Sequence, residues 1–256
     1  MSTLRLFLVG WLFHVKNLTN SLFFVLITVL QPVIFATIAF FMFRTGDRPG
    51  GLLYAALGAG LMGIWSSTLF GAGGAIQWQR WQGTLEILVA APARFLWVML
   101  PLTVSTATIG LYAVVATLFW GRVFFGVPLG FERPLLFALA LPVTVLSLGL
   151  LGLVLASTFI LYRNANAFAN LLEYPIWLVT GLLVPVSLLP GWAEPISWLL
   201  APTWGIEAVR NAALGGPVLP ALGMCALLGA VYLALGAFFL SNFERLARSR
   251  ATLSLT

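Results

Sequence analysis

The sequence is poor in the side chains that most catalytic and metal sites use. Its 256 residues include one histidine, His14, one cysteine, Cys225, and one aspartate, Asp47. A zinc site needs three or four His, Cys or carboxylate ligands, and a histidine-dependent triad would have to use His14, which lies in an amphipathic segment. We therefore predict no catalytic residue and no metal site in this chain. The single cysteine also excludes a disulfide framework within it.

A phosphate-binding loop is absent as well. Such a loop needs a glycine-rich stretch that leads into Lys-Ser or Lys-Thr, and the only lysine, Lys16, is followed by Asn17. If ATP drives the activity of this protein, the ATPase is therefore another polypeptide. The net charge of +6 comes from scattered basic residues rather than from a Lys/Arg-rich block, so we predict no nucleic-acid partner.

Charged residues are scarce overall, and apolar residues fill most of the chain. Charged residues make up 8% and hydrophobic residues 61% of the sequence, whereas soluble domains carry roughly 25% charged residues. Backbone polar groups in hydrocarbon must be paired within the segment, which favours helices of about 20 apolar residues. We predict an all-α integral membrane protein with six transmembrane helices. The predicted spans are Leu22–Phe43, Leu52–Ile76, Phe95–Trp120, Leu135–Tyr162, Ala167–Ser187 and Val218–Asn242.

The loops between these spans differ in their content of basic residues. Eight lie on the side of the termini, namely Arg5, Lys16, Arg80, Arg94, Arg163, Arg245, Arg248 and Arg250. Five lie on the other side, namely Arg44, Arg48, Arg122, Arg133 and Arg210. Because basic residues are enriched in cytoplasmic loops, we predict that both termini are cytoplasmic.

Three segments outside the spans have their own character, within a single domain over residues 1–256. Residues 1–20 carry an apolar stripe at three- and four-residue spacing, which predicts a helix lying in the membrane interface and contacting lipid. Residues 77–92 combine glutamines, tryptophans and two charges, which predicts a short cytoplasmic helix. Residues 188–217 contain prolines and tryptophans between short apolar pieces, which favours a helical hairpin re-entering the outer leaflet.

Glu173 is the charged residue that we single out within a predicted span. Asn166, Asn170 and Glu173 are spaced four and three residues apart, which places them on one helix face. An ionisable group in hydrocarbon is costly and usually faces a cavity or a partner. This stripe could line a transport path or a dimer interface. Alternatively, Glu173 accepts hydrogen bonds from a neighbouring helix and has a structural role.

Two strings in the sequence resemble a known family. Gly83-Thr84-Leu85-Glu86, followed by Leu88 and Pro92, resembles the coupling region of ABC-2-type permeases. The run from Gly181 to Arg210 resembles the fifth span and the outer re-entrant hairpin of the same family. The matching positions in this run include Pro185, Pro190, Trp192, Pro202, Glu207 and Arg210.

The resemblance implies the transmembrane subunit of an ABC exporter of the drug- or lipid-exporting kind, in a bacterial inner membrane. Such a permease dimerises, as a homodimer or a heterodimer, and docks two ABC ATPase subunits that bind ATP and Mg, while it binds no cofactor itself. The residues expected to contact the ATPase are Arg80, Trp81, Gly83, Thr84, Leu85 and Glu86. The family often has acidic residues just before this string, where this chain has Gln79, Trp81 and Gln82, so Arg80 and Glu86 are the expected charged contacts.

The implied substrate is hydrophobic or amphipathic: a drug, a lipid or a lipid-linked glycan. Two other functions stay open at this point. An ion-coupled secondary carrier or channel would place several charged groups in its spans, and here Glu173 is nearly alone. A membrane assembly factor that shares the permease fold but transports nothing would have the same sequence features.

Overall fold

The described part of the chain is helical. The computed structural model describes residues 3–44, 50–84, 87–88, 94–159 and 165–250. The first helices are α1 Thr3–Asn20, α2 Leu22–Arg44, α3 Gly51–Trp81, α4 Leu96–Ile109, α5 Leu111–Phe125 and α6 Pro134–Phe159. They are followed by α7 Ala165–Val179, a 3-10 turn Val186–Leu188, α8 Ala193–Trp198, α9 Ala201–Leu214 and α10 Val218–Arg250.

Five stretches are long and apolar enough to cross a membrane. They are Phe24–Phe43, Gly51–Gly74, Leu96–Phe125, Pro134–Phe159 and Val218–Leu246. Each coincides with one of the predicted spans, and a chain with this many spans is a multi-pass membrane protein. The all-α membrane class is thus confirmed.

The predicted span Ala167–Ser187 has a different form. Its helix, α7, has 15 residues, or about 22 Å at 1.5 Å per residue, which is short of the roughly 30 Å of hydrocarbon. After α7 the chain turns at Gly181, whose φ is +80°, and continues irregularly to the 3-10 turn. The length and composition of α7 alone therefore do not make it a span.

The predicted span Phe95–Trp120 is one stretch made of two helices. The break lies at Gly110, between α4 and α5. A Cβ atom at Gly110 would lie 2.5 Å from the Cα atom of Ile64 on α3, closer than real Cβ atoms come. The absence of a side chain therefore lets the broken stretch lie directly against α3.

Helix α3 forms the centre of the bundle and α2 lies at its edge. In the most apolar part of each helix, 83% of the α3 residues are buried, against 22% for α2. Glycines allow the close packing around α3: a Cβ atom at Gly63 would lie 2.2 Å from the Ala113 Cβ on α5 and 2.7 Å from the Pro32 Cγ on α2. Helices α2, α3 and α5 therefore meet at Gly63 almost backbone to backbone.

Helix α1 lies along α4 and reaches the first turn of α5. The Trp11 indole donates a hydrogen bond to the Thr108 hydroxyl at 3.1 Å, and the Thr19 and Tyr112 hydroxyls are 3.2 Å apart. No residue of α1 is fully buried, and Leu4 and Leu12 of its apolar stripe are exposed. One edge of the stripe thus packs on the bundle, and the other is free to contact lipid.

Two further hydrogen bonds join elements that are distant in sequence. The Glu244 carboxylate near the end of α10 accepts the backbone N–H of Phe95, at the start of α4, at 3.1 Å. The Tyr232 hydroxyl donates to the Leu199 carbonyl at 2.7 Å and accepts the N–H of Ala201 at 3.2 Å. Helix α10 therefore holds both the first turn of α4 and the connection between α8 and α9.

Candidate functional site

The string Gly83-Thr84 marks a break between two helical segments. Gly83 follows the last turn of α3 and has a φ of +66°, a conformation that glycine adopts without strain. The N–H of Thr84 bonds to the Gln79 carbonyl at 3.0 Å, which is the pairing of a Schellman helix end. The Thr84 carbonyl in turn accepts the N–H of Leu88 at 3.1 Å. Gly83 thus ends one helix, and Thr84 begins the next turn.

The predicted coupling helix 77–92 is therefore divided. Residues 77–81 continue α3 without a break, and the following turn begins only at Thr84. The Thr84 hydroxyl lies 3.3 Å from the Gln79 carbonyl and also contacts the Gln79 side chain, which ties the turn to the end of α3. Leu85 and Glu86, and the side chains of Arg80 and Trp81, lie outside the described residues.

Glu173 lies inside the bundle and bonds to two other helices. It is 3% exposed, and its Oε1 atom accepts a hydrogen bond from the Ser66 hydroxyl of α3 at 2.7 Å. The Gln31 amide of α2 donates to the same oxygen at 3.2 Å. Buried polar groups need such partners, and this carboxylate therefore joins α2, α3 and α7. Ser66 and Gln31 were not among the residues selected from the sequence, because each lies more than 100 residues from Glu173 along the chain.

The residues of the predicted polar stripe on α7, Asn166, Asn170 and Glu173, do not all have the same surroundings. Glu173 is buried, whereas Asn170, one turn earlier, is exposed. The side chain of Asn166 lies outside the described residues. Glu173 thus faces the interior of this chain, and Asn170 faces its outside, where a lipid or another subunit can contact it.

The predicted hairpin 188–217 contains the two short helices α8 and α9. Pro185 precedes the 3-10 turn, and Pro202 lies in the first turn of α9, where a missing N–H costs nothing. Pro190 is exposed, and the Trp192 side chain is 65% exposed. Glu207 is exposed on α9. These residues therefore lie on the surface or at helix starts, with one exception, which is Arg210.

Arg210 is a buried cation that bonds to backbone carbonyls. Its Nη1 atom donates to the Gly181 carbonyl at 2.7 Å, and its Nη2 atom donates to the Leu182 carbonyl at 3.0 Å. Its Nε and Nη2 atoms lie 3.4 and 3.3 Å from the Tyr54 carbonyl. The guanidinium also lies 3.4 Å from the centre of the Tyr54 ring, an attractive cation–π geometry. Arg210 therefore fastens α9 to the start of α3 and to the turn after α7.

The electrostatics of α9 follow from this burial. Burial lowers the pKa of Arg210 to about 10, and the nearby Tyr54 partly opposes this change, so the guanidinium remains protonated at neutral pH. Partial burial raises the pKa of Glu207 above its ordinary value, while a hydrogen bond with Asn211 opposes this shift. Helix α9 thus carries a buried positive charge and an exposed carboxyl one turn apart.

Comparison with known protein families identified a match. The sequence model of the family described as ABC-2 type transporter matches residues 6–214, a range that contains α9 and nearly all of α1. It therefore includes the Gly83-Thr84 break, Glu173 and Arg210. No curated protein matches the chain.

Proposed function

The chain belongs to the ABC-2 type transporter family, and from this premise we propose that it is the permease subunit of an ATP-driven exporter. The substrate is a hydrophobic or amphipathic molecule: a drug, a lipid or a lipid-linked glycan. A separate ABC ATPase subunit binds ATP and Mg and hydrolyses the ATP, so this chain is not itself an enzyme. The complex contains two permeases, most simply two copies of this chain, and two ATPases.

This proposal rests on the length of α3 and on how the helix ends after Trp81. With 31 residues, α3 is about 46 Å long, which exceeds the roughly 30 Å of hydrocarbon. Its apolar part ends at Gly74, and the polar residues from Gln77 onward lead to the break at Gly83. A rigid central helix that extends out of the membrane and ends in a defined turn gives an ATPase a surface to hold. Movement of that turn would be transmitted directly to the core of the bundle.

The remaining elements fit the same arrangement. Helix α1 lies in the cytoplasmic interface, and α7 with the chain up to Leu189 completes a sixth crossing. Helices α8 and α9 form the hairpin that re-enters the outer leaflet. Both termini are then cytoplasmic in a bacterial inner membrane, which agrees with the excess of basic residues on that side.

The coupling role of the turn is tested with a purified complex. We expect this chain, co-expressed with a candidate ABC ATPase, to purify as two permeases with two ATPases. Glu86→Ala or Arg80→Ala should lower ATP hydrolysis by about tenfold, because each removes a charged contact at the docking surface. Arg133→Ala, an exposed arginine at the opposite end of the bundle, is the matched control and should leave hydrolysis unchanged. A chain that purifies alone and moves ions or solutes in liposomes without ATP would overturn the proposal in favour of a secondary carrier.

A second prediction separates the two roles of Glu173. Glu173→Gln retains an oxygen that can accept the hydrogen bonds from Ser66 and Gln31, but it removes the negative charge. If Glu173 lines the transport path, ATP-dependent export of a fluorescent amphiphile from proteoliposomes should fall by about tenfold, which is 1.4 kcal/mol. The melting temperature of the complex should stay within about 2 °C. Full export by Glu173→Gln would leave Glu173 with the structural role alone, and Glu173→Leu, which removes the acceptor, should then destabilise the protein.

A further inference from the structure

A cavity opens beside α9, at the end of the bundle where α3 begins. Its volume is about 370 Å³, within the range of roughly 300–1,000 Å³ that is usual for small-molecule sites. The turn after α7, the 3-10 turn, α9 and Tyr54 of α3 surround it. Thr180, Thr203 and Arg210 are buried in its wall, and Ser187 and Glu207 are exposed at its rim. We call it the α9 cavity.

The wall of the α9 cavity carries a positive charge without a counter-ion. No carboxylate among the described residues lies within ion-pair distance of Arg210, whose hydrogen-bond acceptors are the carbonyls of Tyr54, Gly181 and Leu182. These bonds use four of the five N–H groups that an arginine offers. One N–H of Nη1 has no acceptor among the described residues. A buried cation whose partners are carbonyl dipoles and an aromatic ring, with no counter-ion, attracts an anion.

Thr203 supplies a second polar group that lacks a partner. It is 6% exposed, and its hydroxyl oxygen has no hydrogen-bond partner among the described residues. A buried hydroxyl without a partner is unusual because its desolvation is uncompensated. Thr203 lies on α9 and lines the same cavity as Arg210. A ligand oxygen in the cavity would satisfy both groups.

Glu207 adds a negative charge at the rim. It precedes Arg210 by three residues, so the two side chains leave the same face of α9 with Cβ atoms roughly 5–6 Å apart. A simple anion would be attracted by Arg210 and repelled by Glu207. A simple cation would be attracted by Glu207 and repelled by Arg210. The arrangement therefore favours a ligand that carries both charges. Because Arg210 is buried in the wall and Glu207 is exposed at the rim, a ligand whose two charged groups are joined by a short linker suits this arrangement.

We propose that the α9 cavity binds a zwitterionic headgroup in which a short linker joins a phosphate to a primary amine, as in phosphoethanolamine. The phosphate bonds to Arg210 and Thr203 in the wall, and the amine bonds to Glu207 at the rim. Both a membrane phospholipid and a soluble phosphoethanolamine carry this chemistry. The proposal rests on the cavity and on the membrane location of the chain, and it holds whether or not the protein is an ATP-driven exporter.

The test measures headgroup binding to the purified full-length chain by native mass spectrometry. The probes are phosphatidylethanolamine, phosphatidylglycerol, phosphatidylcholine and soluble glycerophosphoethanolamine. We expect the wild-type chain to prefer phosphatidylethanolamine over phosphatidylglycerol by about tenfold, the value of one charge-assisted hydrogen bond. Preference over phosphatidylcholine should be similar, because its quaternary ammonium cannot donate a hydrogen bond to Glu207.

Two variants assign the contacts without removing Arg210. Glu207→Gln should reduce binding of phosphatidylethanolamine by about tenfold, to the level of phosphatidylglycerol. Thr203→Val should weaken binding of both lipids by about threefold. It should leave the melting temperature unchanged or raised, because the hydroxyl it removes has no partner among the described residues. Glu194→Gln, which changes an exposed carboxylate on α8 away from the cavity, is the control and should bind like the wild type.

Either of two outcomes would overturn the proposal: equal binding of phosphatidylethanolamine and phosphatidylglycerol by the wild type, or an unchanged preference in Glu207→Gln. Competition by glycerophosphoethanolamine at equal concentration would support the site with a soluble ligand. Binding of the lipid without such competition would support it with a membrane lipid. None of these measurements uses ATP or an ATPase, so failure here leaves the coupling experiment unaffected.

Discussion

Arg210→Met is expected to lower the melting temperature of the protein by about 10 °C or to prevent it from folding. Methionine keeps the unbranched shape of the side chain but donates no hydrogen bond. The carbonyls of Tyr54, Gly181 and Leu182 would then lose the donor that bonds to them in the wild type. Each buried polar group without a partner costs about 1–3 kcal/mol, so the loss of the donor by these three carbonyls should cost at least about 3 kcal/mol in total.

The measurement is the melting temperature of the detergent-purified protein, followed by size-exclusion chromatography of heated samples. For a chain of this size, 1 kcal/mol corresponds to roughly 2–4 °C, so Arg210→Met should lower the melting temperature by about 10 °C or yield no folded peak. Arg133→Met is the matched control. Its Nη1 atom bonds to one carbonyl, that of Gly216, at an exposed position, and its loss should cost less than about 0.5 kcal/mol. Equal stability of the two variants would show that the Arg210 contacts contribute nothing to the fold.

Gly63→Ala is expected to have the second largest effect, although it adds a single methyl group. The new Cβ atom would meet the Ala113 Cβ at 2.2 Å and the Pro32 ring at 2.7 Å. Neither neighbour can rotate away, because one is a Cβ atom and the other belongs to a closed ring. Helices α2, α3 and α5 would have to separate, and overpacking of this kind costs about 1–3 kcal/mol. The thermal midpoint of the purified protein should fall accordingly.

The same helix provides a control glycine for this substitution. Gly74 also lies in α3, and among the described residues a Cβ atom there would have no heavy atom within 4 Å beyond the backbone of its own helix. Gly74→Ala should be neutral or stabilise the protein by up to about 1 kcal/mol, because alanine is the better helix former. If Gly63→Ala also raised the thermal midpoint, the contribution of α3 to stability would depend on helix propensity rather than on close packing.

The length of the apolar runs in the sequence predicted the spans well where a helix is continuous and long. Helices α2, α3, α6 and α10 were found this way, since about 20 apolar residues in a row have few other uses. The break at Gly110 could not be predicted in the same way, because a glycine within an apolar run is often tolerated in a continuous helix. The early end of α7 was also missed, since the residues after Val179 are as apolar as those before it.

The contacts of the candidate residues could be predicted less well than their positions. The spacing of Asn170 and Glu173 implied a shared face, but α7 is covered on only part of its circumference, so one turn separates a buried from an exposed residue. The resemblance marked Arg210 without indicating what it bonds to. Its acceptors are backbone carbonyls, which every residue possesses, and no residue type in the sequence signals them.

The bond between Glu244 and the N–H of Phe95 has a consequence for how the chain matures. The two residues are 149 positions apart, so during synthesis the first turn of α4 enters the membrane long before its capping carboxylate leaves the ribosome. Until α10 is in place, that amide has no acceptor from Glu244. A nascent chain that stopped just short of Glu244 would contain nearly every candidate span and still lack this bond. Helix α10, which is translated last, therefore supplies the acceptor for the first turn of α4, which was synthesised much earlier.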